Sequence, residues 1–273
     1  MFLFTSLFSQ KILRDTRNTF NTFASKITKV VIPSTSLADL MLRDAVNRGW
    51  RISPFEFCTL EEFNRIKADT NYFFLMRVDG MYRRDLEPKV EYLTLFKGGP
   101  EVKRGLFSSH NIITLPLQQS DDLTGVTLNL LPIYVDIIQN HIYKVQRDLS
   151  LAFKGNSFYA ERVKEAKGKN ILFSKESINY DIRDYDIASM FKGEAKLTTA
   201  SDIEDAVVNN RENTVVAVVI LPKGDPAGSF CYKLMIDTGT HELLFFRRHR
   251  ISSRMPAGFT REDLRKISAP FQF

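Results

Sequence analysis

The sequence predicts an α/β (α+β) chain of two tandem related units, each ordered strand, helix, strand, helix, strand, hairpin. Mixed sheets with helices on one face and a long helix joining the units complete the expected fold. Three observations lead there. Short apolar runs of strand length alternate with segments whose apolar residues recur every three or four positions. The same order occurs twice, at an offset of about 140 residues. Between the two runs, Tyr134, Ile138, Ile142, Val145, Leu149 and Phe153 recur at helical steps, with Pro132 suited to a first turn.

In chain order, Ile12, Leu13, Phe20, Phe23, Ala24 and Ile27 predict an amphipathic helix over 11–28. Lys29 to Pro33 reads as a short buried strand. Ser36 is a plausible N-cap for a helix carrying Leu37, Leu40, Met41 and Ala45, ended by Asn47-Arg48-Gly49. Residues 50–58 read as a strand with Phe55 and Phe57 on one face. Thr59, with Glu62 three positions on, has the form of a capping box before Leu60, Phe63 and Ile66. Strands follow at 72–78, 90–96 and 112–117.

After the long helix, residues 157–167 predict a further helix stopped near Gly168. Strand 171–173, helix 179–191, strand 195–199, helix 201–210 and strand 214–221 come next. A hairpin of 232–236 and 242–246 turns around Thr238-Gly239, and a last helix covers about 260–267. The offset pairs Val31 with Ile171, Phe57 with Leu197, Thr59 with Thr199, Phe63 with Ile203, Tyr92 with Tyr232, Phe96 with Ile236 and Gly99 with Gly239. The expected organisation is an N-terminal apolar segment and helix (1–28), a first unit (29–125), connecting helices (126–168) and a second unit (169–273).

Composition sets the class. Hydrophobic residues make up 44% and charged residues 26%, ordinary values for a folded globular chain rather than a disordered one. The formal charge of +6 is a mild excess, too small to establish nucleic-acid binding. Cys58 and Cys231 lie in no zinc-binding spacing; they either pair in an oxidising compartment or stay two buried thiols, and buried thiols are the expected state. No apolar run is long enough for a transmembrane helix. Met1 to Gln10 is uncharged and rich in Phe and Leu, and it reads either as the end of an export signal or as an apolar segment docked on the fold.

Few residues suggest chemistry. Arg247, Arg248 and Arg250, with Arg254 beyond them and Phe245-Phe246 before, form the densest basic cluster and the candidate anion-binding site. Strand alternation also offers a plainer account, in which half of these side chains are hydrated. Lys103-Arg104 stands at the equivalent place in the first half.

Asp237-Thr238-Gly239 matches the triplet of aspartic proteases. That chemistry requires two carboxylates sharing a proton, and a hairpin turn uses the same residues. His110, His141, His241 and His249 have no metal-ligand spacing, so no metal or cofactor is expected. Ser108-Ser109-His110 lacks a nucleophile elbow. Asp181, Asp184 and Asp186 beside Arg183 fit a helix start.

The element order, with strand Tyr232 to Asp237 running into Thr238-Gly239, resembles small α/β modules of bacterial envelope proteins. Examples are the amino-terminal domain of TolB and the curli-secretion lipoproteins, over roughly 80 residues per unit. The duplicated unit, the export-signal reading of residues 1–10 and the lack of a reactive constellation point to a non-enzymatic binding or assembly protein of a bacterial envelope or periplasm with a protein partner, and the arginine cluster would take an anionic ligand. The alternatives are a cytoplasmic nucleic-acid or nucleotide binder, and an enzyme whose site is scattered over both units.

Overall fold

The computed structural model describes residues 2–80, 90–106, 109–117, 126–179 and 181–272. Ser108 and Tyr180 lie outside the described residues, as do 118–125 at the expected end of the first unit. The strands form two five-stranded mixed sheets, so the tandem α/β reading holds.

The first sheet joins β1 (Ile27–Val31), β2 (Phe55–Cys58), β3 (Tyr72–Asp79), β4 (Glu91–Lys97) and β5 (His110–Leu117) in the order β2-β1-β3-β4-β5. The second joins β6 (Asn170–Ser174), β7 (Ala195–Thr198), β8 (Thr214–Ile220), β9 (Phe230–Asp237) and β10 (Glu242–Arg250) in the order β10-β9-β8-β6-β7. Read from β7, the second order repeats the first. β1 runs parallel to β2 and β3, and β6 runs parallel to β7 and β8.

The register refines the repeat. Thr28 pairs with Phe55 and Phe73, while Ile171 pairs with Ala195 and Val215. Phe55 and Ala195 keep the 140 offset, but Thr28 and Ile171 stand 143 apart. Val31 therefore corresponds to Ser174, not Ile171, because the segment between the first two strands is three residues shorter in the second half. Thr59 and Thr199 both cap helices, α3 (Leu60–Ile66) and α8 (Ala200–Val208), by accepting the N–H three residues on. The box is complete only at Thr199, where Asp202 reaches back to the cap. Glu62 turns instead to the buried Lys29, at 2.8 Å.

Contacts divide the chain into two compact units. The first holds the described residues of Met1–Arg77, Leu93–Thr114 and Ile138–Gly155, and the second those of Val78–Tyr92, Leu115–Ile137 and Asn156–Phe273. The first unit is filled by aromatic rings. Phe23 meets Trp50 and Phe73, and Phe74 meets Phe63 and Phe96. Removing each such ring from water contributes about 1.5–3 kcal/mol.

Gly98, after β4, touches this core. A Cβ there would stand 2.2 Å from the Asp69 carbonyl oxygen and 2.9 Å from the Phe74 ring. Gly98→Ala is expected to lower stability by about 2–3 kcal/mol through overpacking. A thermal melt identical to wild type would contradict that close approach.

In the second unit, α7 (Asp184–Met190) and α9 (Arg261–Ser268) supply the helical side of the core. Their Ile187, Leu264 and Ile267 pack with Ile171, Phe173, Val215, Ala217 and Met235 on one sheet face. This is the helix-covered face expected from the sequence. α8 lies against β6 and β8 as well as α4 (Val126–Asn129), and its buried Ile203, Ala206 and Val207 stand outside that cluster. Tyr92 and Tyr232, the pair matched by the offset, meet in this unit with hydroxyls 2.7 Å apart.

Several elements differ in length from expectation. α1 covers Phe2–Asn21, so it starts earlier than predicted and stops before a 3-10 turn at Phe23–Ser25. α2 (Leu37–Gly49) is capped by Ser36 as expected. Phe153 falls in the separate turn α6 (Leu151–Lys154), and α5 (Leu131–Arg147) ends before Leu149. There the Asp148 carboxylate accepts the Ser150 N–H at 3.0 Å, a local turn that competes with further helix. Leu149 is consequently half-buried, and Phe153 is exposed. Gly155–Ala166 is 3-10 rather than α-helical.

Candidate functional site

β9 and β10 position the basic cluster. They pair antiparallel, with Lys233 opposite Arg247, Tyr232 opposite Arg248, Cys231 opposite His249 and Phe230 opposite Arg250. The register shifts between Leu243 and Phe245, where Leu244 is the extra residue of a β-bulge. Because side chains alternate along a strand, this extra residue decides which arginine reaches which face.

Arg247 joins the side of Lys233 and α9. Its Nη1 donates to Asp263 Oδ1 at 2.8 Å. Asp263 and Lys233 are both fully buried and directly bonded to each other. Asp263 Oδ2 also accepts the Thr260 N–H at 2.9 Å and the Thr260 hydroxyl at 2.7 Å. Burial opposes ionisation of Asp263, but Lys233 and the Thr260 donors prevail and hold it below the usual carboxylate range. His249 shares this face, and its Nε2 donates to the Pro256 carbonyl at 3.0 Å.

Arg248 and Arg250 face the other way and are exposed. Their guanidinium carbons stand 4.7 and 4.4 Å from the centre of the Phe230 ring. Arg250 Nη1 also donates to the Gly228 carbonyl. Arg254 is exposed in the turn closed by Ser252 and Met255. The structure thus brings Arg248 and Arg250 together on Phe230, sends Arg247 to a buried carboxylate, and places Arg254 beyond the strand. Phe230 was missed in the sequence because only the strand register makes it the neighbour of both arginines.

A stability contrast follows. Arg247→Ala is expected to cost about 1.5–3 kcal/mol, since it removes a charge-assisted bond from a buried acid. Arg250→Ala should change stability by no more than about 1 kcal/mol, as for an exposed group. Equal urea midpoints for the two variants would contradict the division of the cluster between the faces.

The other candidates have structural partners. Asp237 accepts the Gly239 and Thr240 N–H groups at 3.0 and 3.1 Å and pairs with Lys169 at 2.7 Å. Burial raises its pKa, yet Lys169 and these N–H donors prevail and keep it ionised. The triplet is therefore the turn of the β9–β10 hairpin, the plainer of the two sequence readings. Asp186 accepts the Arg183 N–H at 3.0 Å at the start of α7.

His241 bridges Asp136 and Asn210 at 2.6 and 2.8 Å. His141 is buried, and desolvation lowers its pKa to about 4, so it is neutral. Cys58 and Cys231 are free and buried, with thiols pushed up to about 11 by burial. Among the described residues, no group of three or more His, Cys, Asp and Glu side chains is placed to hold a metal. Nor, among them, is any helix long and apolar enough to cross a membrane. His110 lines a cavity of about 460 Å³ in the first unit, together with Lys97.

No family model, curated protein or solved structure matches the chain.

Proposed function

We propose that the protein is a non-enzymatic binding protein, an assembly module of a bacterial envelope, whose second unit takes an acidic extended segment of a protein partner along the end of β10. The observation that carries this reading is the exposed pair Arg248 and Arg250 over Phe230. The ring contacts hold both guanidinium groups over Phe230 at the exposed end of β10, and a guanidinium carries five N–H donors, so it can take a carboxylate alongside partners within the chain. β10 is the outermost strand of its sheet, and a strand edge can receive an extended peptide through main-chain hydrogen bonds. Alternate acidic side chains of such a peptide would lie on the arginine face. The arginine contacts also weigh against nucleic acid, because a base stacking on Phe230 would have to compete with the guanidinium groups for the ring.

The test is fluorescence anisotropy of a labelled oligoglutamate peptide with the full chain. Binding should weaken as salt rises and fall by at least about tenfold in Arg248→Ala/Arg250→Ala. Binding unaffected by that variant would overturn the proposal, as would tighter binding of a labelled oligothymidylate. The envelope setting is tested separately by fractionating the native host.

A further inference from the structure

We propose that the cavity in the first unit binds a small zwitterion of the amino-acid class, its carboxylate on Lys97 and its ammonium on Asp15 and Glu101. The cavity measures about 460 Å³, which falls within the range of small-molecule sites. Five segments line it, one of them the turn at Thr70 before β3. α1 contributes Asp15 and Thr19, four residues apart and so on one helix face. β4 ends at Lys97, the 3-10 turn Pro100–Arg104 carries Glu101, and β5 begins at His110.

The chargeable side chains around this space do not satisfy one another. Lys97 Nζ has a single bond, to Thr19 Oγ1 at 3.3 Å, although an ammonium has three donors. Among the described residues, no hydrogen bond or ion pair engages the carboxylates of Asp15 and Glu101 or the ring nitrogens of His110. Lys26, also close to Lys97, donates to the Thr70 carbonyl at 2.6 Å.

Desolvation and the Lys26 charge lower the pKa of Lys97. Desolvation and the Lys97 charge do the same to His110. Asp15 and Glu101 pull both groups the other way without reversing either shift, so a negative charge added beside Lys97, on this side of the cavity, is still favoured. A simple anion would meet that side but would also face the two carboxylates. A simple cation would meet the reverse. A molecule with both charges satisfies both sides, and the Thr19, Thr70 and Ser109 side chains favour a polar body over an apolar one.

This inference is independent of the arginine strip, since it concerns different residues in the other unit. The test starts with thermal-shift screening of the full chain against the standard L-amino acids at millimolar concentration. Calorimetry then compares the best stabiliser with its amide, which lacks the carboxylate, and its N-acetyl form, which lacks the ammonium. The free amino acid should bind at least about tenfold more tightly than either blocked form, the scale of a charged hydrogen bond. Lys97→Met and Glu101→Gln, each checked for an unchanged circular dichroism spectrum, should each weaken binding by a similar factor. No stabilisation by any amino acid would overturn the proposal. So would equal binding of the blocked forms, or unchanged affinity in a folded Glu101→Gln protein.

Discussion

Asp263→Ala is expected to cost about 3–5 kcal/mol of folding free energy, the usual penalty for stranding a buried charge. Among the described residues Asp263 alone neutralises Lys233, which is fully buried, and it also holds Arg247 and completes the Thr260 cap of α9. Removing the carboxylate leaves an ammonium in the core with no ionic partner. Lys233→Met should cost much less. Its chain has similar volume, and Asp263 would keep Arg247 and the two Thr260 donors.

Urea midpoints at constant m measure both. The pH dependence has a fixed sign. The folded pKa of Asp263 is depressed, so its contribution is complete above the unfolded value of about 3.9 and is lost as pH falls through the folded value. The gap between wild type and Asp263→Asn should therefore close only in acid below about pH 4. Equal destabilisation by Lys233→Met and Asp263→Ala would contradict this account of the network.

Ile138→Asp should be at least as damaging. Ile138 lies on α5 with no exposed surface, alongside Ile142 and Val145, which are equally buried. A carboxylate there loses its hydration and gains no cation, at a cost of about 4 kcal/mol or more. Ile138→Ala, which leaves only a cavity, should cost about 2–5 kcal/mol. The two variants together separate burial of charge from loss of volume. An Ile138→Asp protein with the wild-type melting temperature would show that this face of α5 is not packed.

The fold was legible wherever periodicity was strong. β3, β8 and α5 are long or strongly apolar, and their patterns are unambiguous. Thr59 was legible as a cap because its hydroxyl serves the backbone three residues on, a purely local contact. The true end of α5 was not legible, since Leu149 and Phe153 continue the helical pattern that the Asp148 turn interrupts. Nor was the slip of Val31 against Ser174, which depends on the length of a connection rather than on any apolar pattern.

The basic cluster could be seen, but its division could not. The bulge at Leu244 sets the faces of Arg247 and Arg248, and Asp263 and Phe230 reach them only through tertiary packing. The same holds for Asp15, Lys97, Glu101 and His110, which come from separate segments of the first unit.

The most direct test of the central claim is an amide-resolved NMR titration of the protein with an oligoglutamate peptide. The account predicts that shifts concentrate at Phe230, Arg248 and Arg250 and the amides beside them, and that they disappear in Arg248→Ala/Arg250→Ala. Shifts elsewhere with β10 silent, or no shifts at all, would contradict it.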